Sequence, residues 1–470
     1  MTSFKTLLAP RSRALGSLRI GTATAATQIE SGQLPTNWHD WAATPGNVAD
    51  ASSPADSTDH WNRWREDNAL MQDLGLQISR LGLEWARIEP EPGRFDHAVL
   101  DRYREEIGDL VDRGIEPLVT LHHFSQPRWL QEKGQFTNPA TIEAYLRFTR
   151  EVVQALHDLV PAWVTLNEPN VYATQAHLFR EAPPGNRSMR DVREVLRTMA
   201  ICHLRAYELI HEIDPNATVT FAHHMRVFAP RTSWNPLHRA FTAFDRAAFQ
   251  DVVADAFGSG RFHPLLGRSP VGPGTYLDVA GLNYYSRTAV TGPTDGTFPD
   301  VPVNDLGWEV YPQGLVDCAR ELHERFNVPV WITENGICDN GSERLVERAR
   351  SRFIADHLAA ILDSDVPIER YYHWCFVDNW EWSEGMIPRF GIVHLDRETK
   401  TRTVKPSGRF LAEIIAAGAL ERETIIRYAG AESYRQAGDT DPVNEAPGLP
   451  ASPGPSSVDT PGEVPKWRCG

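Results

Sequence analysis

The chain has 470 residues, enough for one large domain or two to three ordinary ones; 41% hydrophobic residues is ample for a sizeable core, and 14 tryptophans exceed what such a core usually needs. A formal net charge of -15 argues against a nucleic-acid or anionic-membrane partner, since both need a basic surface. It favours a neutral or small ligand, and surplus indole rings suit flat faces such as those of sugars.

In chain order, the N-terminus "MTSFKTLLAPRSRALGSLRI" has no apolar run of signal-peptide length before its charges and Pro10. Four short apolar segments then read as strands: "LRIGTA" from 18, "QISRLGLEW" from 77, "EPLVTLHH" from 116 and "AWVTLNE" from 162. Four more follow: "TVTFAHH" from 218, "VAGLNYY" from 279, "PVWITEN" from 329 and "IERYYHWC" from 368. Helical periodicity precedes the second, third, fourth, fifth and eighth, in "WNRWREDNALMQDLG", "AVLDRYREEIGDLVDRG", "TIEAYLRFTREVVQALHDL", "DVREVLRTMAICHLRAYELIHEID" and "LVERARSRFIADHLAAILDSD". Strands that are apolar end to end and alternate with helices predict a parallel sheet covered on both faces. Eight such units predict an α/β fold, a single (β/α)8 TIM barrel with long βα loops over its active face. The surplus length falls in residues 31–60, 169–190 and 286–310, each after a strand's C-terminal end. From about residue 436 the composition turns to seven prolines and few apolar residues. The expectation is a barrel domain over 1–435 and a disordered tail over 436–470.

No stretch of about 20 apolar residues occurs, so no membrane span is expected. The five cysteines (Cys202, Cys318, Cys338, Cys375, Cys469) are scattered without close pairs, which suits a reducing compartment and predicts a cytoplasmic protein. Oligomeric state has no readable signal.

In such a barrel the strand ends converge on one pocket. They carry Gln28, Arg80, His122 and His123, Asn167 and Glu168, His223 and His224, Asn283, Tyr284 and Tyr285, Glu334 and Asn335, and Trp374. Two glutamates distant in sequence, in "WVTLNEPN" and "VWITENG", can therefore face each other across the mouth. A carboxyl pair suits glycoside hydrolysis, with one group protonating the leaving oxygen and the other attacking or stabilising the anomeric carbon. Arg80 and a tyrosine hydroxyl beside Glu334 are expected to keep it ionised while Glu168 stays protonated longer.

These segments resemble the signatures of glycoside hydrolase family 1, the retaining β-glucosidase family. "TLNEPN" and "ITENG" are joined, in order, by "GTATAATQIE", "HWNRWREDNALMQDLGLQISR", "LHHFSQPRWL", "GLNYY", "GWEVYPQGL" and "HWCFVDNWEWSEGMIPRFGIVHLD", covering about residues 18 to 415. The resemblance implies double displacement without cofactor or metal, Glu168 as general acid/base and Glu334 as nucleophile. It implies that Asn167 holds the sugar's 2-hydroxyl and that Arg80 and Tyr285 orient Glu334, with Asn283 in support. Gln28, His123, Glu381 and Trp382 bind the hydroxyls of the nonreducing sugar, Trp374 is its stacking floor, and Trp308 lies toward the leaving group. A 6-phosphate would meet like charge at Glu381, so small unphosphorylated β-glucosides or oligosaccharides are the implied substrates. Phe124 stands where the family commonly has tryptophan, which removes an indole N–H donor and loosens choice among gluco, galacto and fuco sugars.

Other readings remain open on the residues. The glutamates could form structural ion pairs, and the histidine pairs could suggest a metal-dependent hydrolase, although no ligand spacing accompanies them. Within the family, a β-galactosidase, a β-fucosidase or a transglycosylase is the alternative, and a non-catalytic sugar-binding protein is another. Tyr284 and Trp380 are expected in the core, His122, His223 and His224 in packing or behind the site, and Cys375 as an inert buried thiol.

Overall fold

The computed structural model describes residues 11–292, 295–340, 349–430 and 432–438. Eight strands form the centre: β1 (Arg19–Ala23), β2 (Ile78–Gly82), β3 (Glu116–Thr120), β4 (Ala162–Asn167), β5 (Thr218–Pro230), β6 (Ala280–Val290), β7 (Val330–Asn335) and β8 (Ile368–Trp374). Each pairs in parallel with the next, and β8 pairs with β1, so the sheet closes on itself. Closure removes the unpaired edges that an open sheet must protect. All eight expected strand segments lie in this ring, and the fold is the (β/α)8 barrel that their alternation with helices implied.

The helices cover the outer wall because each carries an apolar stripe at helical spacing. In Thr141–Leu156, Ala144, Phe148, Val152 and Leu156 recur every four residues and are all buried. Phe148 stacks on Trp85 at 4.6 Å between ring centroids, so Phe148→Ala would cost roughly 3–5 kcal/mol through the lost contact and the cavity left behind. The other expected helices are His60–Asp73, His97–Asp112, Met189–Ile213 and Arg350–Leu362.

Some boundaries differ from the sequence expectation. The second strand stops at Gly82 rather than running through Trp85, because the Glu84 side chain accepts from Ala86 N and caps the short helix Trp85–Ile88. Strands β5 and β6 run past their expected ends to Pro230 and Val290, holding each other in register from Val227↔Arg287 to Pro230↔Val290. Helices Pro236–Arg246, Val252–Ser259 and Pro312–Phe326 fill the intervals for which no helix was expected.

The first of the long loops contains helix Asn37–Ala42, and the second contains Pro169–Thr174. At the C-terminal side, Gln436 pairs with Pro302 and the Ala437 N–H donates to the Val301 carbonyl at 2.9 Å. The chain therefore still lies against the barrel at residue 437. The proline-rich stretch expected as a tail falls, from 439 onward, outside the described residues. No helix of the described residues is long and apolar enough to cross a membrane.

Candidate active site

Both glutamates sit where a strand breaks its regular pairing. The β4–β5 register shifts between Val164 and Asn167, and the β7–β6 register shifts between Ile332 and Glu334. Such irregularities turn a side chain away from the direction strict alternation dictates. Glu168 follows β4 at φ 43 and ψ 60, the left-handed region that a non-glycine residue rarely occupies. Its N–H donates to the Ala222 carbonyl at 2.8 Å, and Pro169 starts the next helix with the φ a first turn needs. In "ITENG", Gly336 is required by contact: a Cβ there would lie 2.0 Å from the Trp374 carbonyl oxygen.

A chain of amides and one guanidinium joins the two carboxyls. Arg80 donates from Nη1 to Glu334 Oε1 at 2.5 Å and from Nη2 to Asn167 Oδ1 at 2.7 Å. Asn283 Nδ2 donates to the same Asn167 oxygen at 3.0 Å and to Glu168 Oε1 at 2.8 Å. Arg80 is itself fixed by the Thr120 hydroxyl at 3.0 Å and the Thr333 carbonyl at 3.2 Å, while the Thr333 hydroxyl donates to Asn283 Oδ1 at 2.7 Å. The Tyr285 hydroxyl donates to Glu334 Oε2 at 2.8 Å, so each Glu334 oxygen has a donor.

Burial pushes both carboxyls up from the ordinary glutamate range to about 7. Their surroundings nevertheless differ. Glu334 touches a cation and a phenol, whereas Glu168 receives neutral donors on Oε1 alone, from Asn283 and from His224 Nδ1 at 3.0 Å. Glu334 is therefore the group that ionises first, and Glu168 is the one that keeps a proton.

The remaining residues form a cradle. Asn167 Oδ1 already accepts from Arg80 and Asn283, so its Nδ2 donates to His123 Nε2 at 3.0 Å. The His123 hydrogen then belongs on Nδ1, which has no partner. Gln28 donates from Nε2 to the Trp380 carbonyl at 2.9 Å and to Asn379 Oδ1 at 3.2 Å, leaving Oε1 without a partner. Glu381 accepts from Trp374 Nε1 at 3.3 Å on one oxygen and has no donor on the other. Burial and the nearby Glu334 drive the Glu381 carboxyl well above its usual range. The rings of Trp374 and Trp382 lie 5.7 and 5.8 Å from that of His123, near-parallel to it, and Phe124 packs at 5.3 Å from Trp382. Trp308 meets the Tyr285 ring at 5.8 Å.

Glu168 Oε2, Gln28 Oε1, His123 Nδ1 and Glu381 Oε2 are thus buried polar atoms without partners among the described residues. Leaving such atoms unmade costs about 1–3 kcal/mol each, and a hydroxyl-rich ligand is the chemistry that satisfies acceptors and donors together. All twelve residues to which the family resemblance gave a role lie in or against this cluster. Tyr284, by contrast, is in the core with its hydroxyl on the Tyr311 carbonyl at 2.7 Å. Three contributors were missed. Thr120 and Thr333 look like ordinary strand residues in sequence. Arg226, whose Nη2 lies 3.4 Å from His224 Nε2 and whose charge acts on Glu168, lies past the expected end of its strand, and the only signal was a cation inside the run "HHMRVF". Among the described residues no group of three or more His, Cys, Asp or Glu is placed to hold a metal ion.

The model of "Glycosyl hydrolase family 1" matches residues 17–263 and 278–419. Beta-glucosidase A of Thermotoga maritima is 31% identical over 434 residues, covering 85% of this chain and 97% of that protein. A beta-glucosidase of Agrobacterium sp. is 31% identical over 448 residues, covering 88% and 97%. The solved beta-glucosidase from Thermotoga maritima in complex with glucoimidazole superposes with a TM-score of 0.79 at 28% identity, over 86% of this chain and 98% of that one.

Proposed function

The chain belongs to glycosyl hydrolase family 1, and on that premise we propose how its residues divide the work of a retaining exo-β-glucosidase. Glu334 attacks the anomeric carbon while Glu168 passes its proton to the leaving oxygen. The glycosyl-enzyme then takes up a water whose proton returns to Glu168 as Glu334 departs. Arg80 and Tyr285 orient Glu334 and spread its charge, and Asn283 and Asn167 tie its position to that of Glu168. Asn167 holds the 2-hydroxyl, where a bond that tightens in the transition state lowers the barrier. Gln28 and Glu381 accept from sugar hydroxyls, His123 donates from Nδ1, Trp382 binds alongside them, and Trp374 supplies the floor. Trp308 borders the leaving group. None of these steps uses a metal or cofactor.

The observation that carries this reading is the linked carboxyl pair, with the free Glu168 oxygen beside a set of unpartnered sugar-type contacts. The substrates are small β-glucosides or oligosaccharides, with neither nucleic acid nor membrane as partner. A phosphorylated sugar is disfavoured, although not by charge on Glu381 itself as expected, because burial drives that carboxyl toward its neutral form; the like charge nearby is that of Glu334. Four buried unpaired cysteines among the described residues suit a reducing, cytoplasmic setting.

The test is the rate of nitrophenol release from matched aryl glycosides, β-gluco, β-galacto, β-fuco, β-manno, 6-phospho-β-gluco and α-gluco, with and without chelator. β-Glucoside turnover that survives chelator is expected, with β-fucoside close behind because of Phe124. Glu168→Ala should slow poor leaving groups by about 10²–10⁴-fold and regain rate with azide as a β-azide product. Silence on every β-glycoside, or full activity in Glu168→Ala, overturns the assignment.

A further inference from the structure

Glu168 has a neighbour that the division of roles above leaves unused. His224 Nδ1 lies 3.0 Å from Glu168 Oε1, and behind the imidazole Arg226 Nη2 lies 3.4 Å from His224 Nε2. A guanidinium can only donate, so Nε2 is the accepting nitrogen and the ring hydrogen sits on Nδ1, directed at the carboxyl. The imidazole is held from several sides. Tyr285 stacks on it at 6.0 Å and 15°, Phe249 meets it edge-on at 5.9 Å, and Asn170 Nδ2 donates to the His224 backbone carbonyl at 2.8 Å. Arg226 is buried, bonded to the Thr288 hydroxyl at 3.3 Å, and its backbone N–H reaches Gln250 Oε1 at 3.0 Å.

We propose that His224 and Arg226 are positioning residues for the acid/base, a relay in which Arg226 fixes the His224 tautomer and His224 assigns the two Glu168 oxygens their tasks. With His224 and Asn283 both donating to Oε1, the transferable proton belongs on Oε2, the oxygen without a partner. When Oε2–H gives that proton to the glycosidic oxygen, the C1–O bond electrons leave with the departing alcohol. The new negative charge on Glu168 then meets two donors already in place and a cation one ring away. The return step takes a proton from water onto the same oxygen.

Charge supports the geometry. Burial and Arg226 push His224 well below its ordinary range, so it acts as a neutral donor and does not compete for the proton. The titratable and charged groups facing Glu168 and His224 are Arg80, Arg226, His223, Glu334 and Tyr285, and Arg226 in turn faces Asp295 and Tyr284. Removing the Arg226 cation therefore leaves the ionised form of Glu168 less stabilised, which makes it a weaker acid.

This rests on Glu168 as acid/base, and the two can fail separately. Glu168→Ala without leaving-group dependence removes both. Normal behaviour of Glu168→Ala with an unmoved Arg226→Met removes the relay alone. The measurement is kcat/KM against pH for phenyl and 2,4-dinitrophenyl β-glucosides in the full-length wild type, Arg226→Met, Arg226→Lys and His224→Phe. In Arg226→Met we expect the phenyl glucoside to slow about tenfold and the alkaline limb to move up by roughly half a unit to one unit. The dinitrophenyl glucoside, which needs little acid help, should stay within about twofold. Arg226→Lys should recover most of the rate, and His224→Phe should repeat the Arg226→Met pattern. Should Arg226→Met not accumulate folded, His224→Phe carries the same comparison. Equal slowing of both substrates with an unshifted limb overturns the relay.

Discussion

Two buried charge clusters in this barrel are built on opposite rules. Under the helices, His60 bridges Asp67 Oδ2 at 2.7 Å and Glu106 Oε1 at 2.8 Å. Arg402 takes both Asp67 oxygens at 2.7 and 2.9 Å, and Arg102 takes the second Glu106 oxygen. Every carboxylate oxygen and both ring nitrogens there have a partner. At the barrel mouth, Glu168, Glu381, Gln28 and His123 each keep an atom with none. The difference shows in proton affinity. Glu106 and Asp67 lie below their ordinary values despite burial, whereas Glu168 and Glu334 are pushed up to about 7. A satisfied cluster is a stabilising one; an unsatisfied cluster holds binding capacity in reserve, at some expense to the fold.

The sharpest break of this comparison is Glu334→Gln. Activity should fall at least about 10⁴-fold because the nucleophile is gone. The melting temperature should hold or rise. A carboxyl raised from its ordinary range to about 7 is one whose ionised form the fold resists, so ionised Glu334 lowers stability at neutral pH. A neutral side chain of the same shape removes that penalty, and the amide oxygen can still accept from Arg80. A melting temperature several degrees lower would show that the mouth is held together by its charges, like the cluster under the helices.

The reverse break is Arg402→Met, whose parent side chain is almost fully buried. It leaves Asp67 short of two donors, and removing one partner of a buried pair costs roughly 3–5 kcal/mol. The melting temperature should drop, while kcat/KM per folded molecule stays within about twofold. Loss of activity in the protein that remains folded would mean the two clusters are coupled through the barrel wall.

The sequence made the two clusters unequally visible, for physical reasons. The eight strands were legible because a parallel strand buried on both faces is a continuous apolar run, and the two glutamates were legible because they end such runs. Helices Pro236–Arg246 and Pro312–Phe326 were not expected, although each has proline at its first turn and Asn235 caps the first by accepting from Leu237 N. The exposed Leu237 and Phe244 of Pro236–Arg246 break the usual match between an apolar stripe and a buried face. Arg226 escaped notice because β5 outruns its expected end by pairing with β6, a tertiary fact. His60, Asp67, Glu106 and Arg402 meet only once the chain has folded across the sequence separation of 335 from Asp67 to Arg402. No local pattern announces that meeting.

The gentlest probe needs no active-site substitution, because pH alone separates the clusters. Its carboxylate neighbours raise His60 from 6.5 to about 9, against a burial that pulls the other way. A group whose pKa is raised on folding contributes its full stability below its unfolded value and loses it as pH climbs through the folded one. The window here runs from about 6.5 to about 9, and the span is worth about 3 kcal/mol at 1.36 kcal/mol per unit. Asp67 and Glu106 stay ionised throughout, since both lie below their ordinary values. The wild-type melting temperature should therefore decline between pH 6.5 and 9, and His60→Gln should melt lower at pH 6 and show a flatter curve. Parallel curves would mean that the imidazole carries no extra proton in the fold, and that its short contacts to Asp67 and Glu106 are held by neutral hydrogen bonding instead.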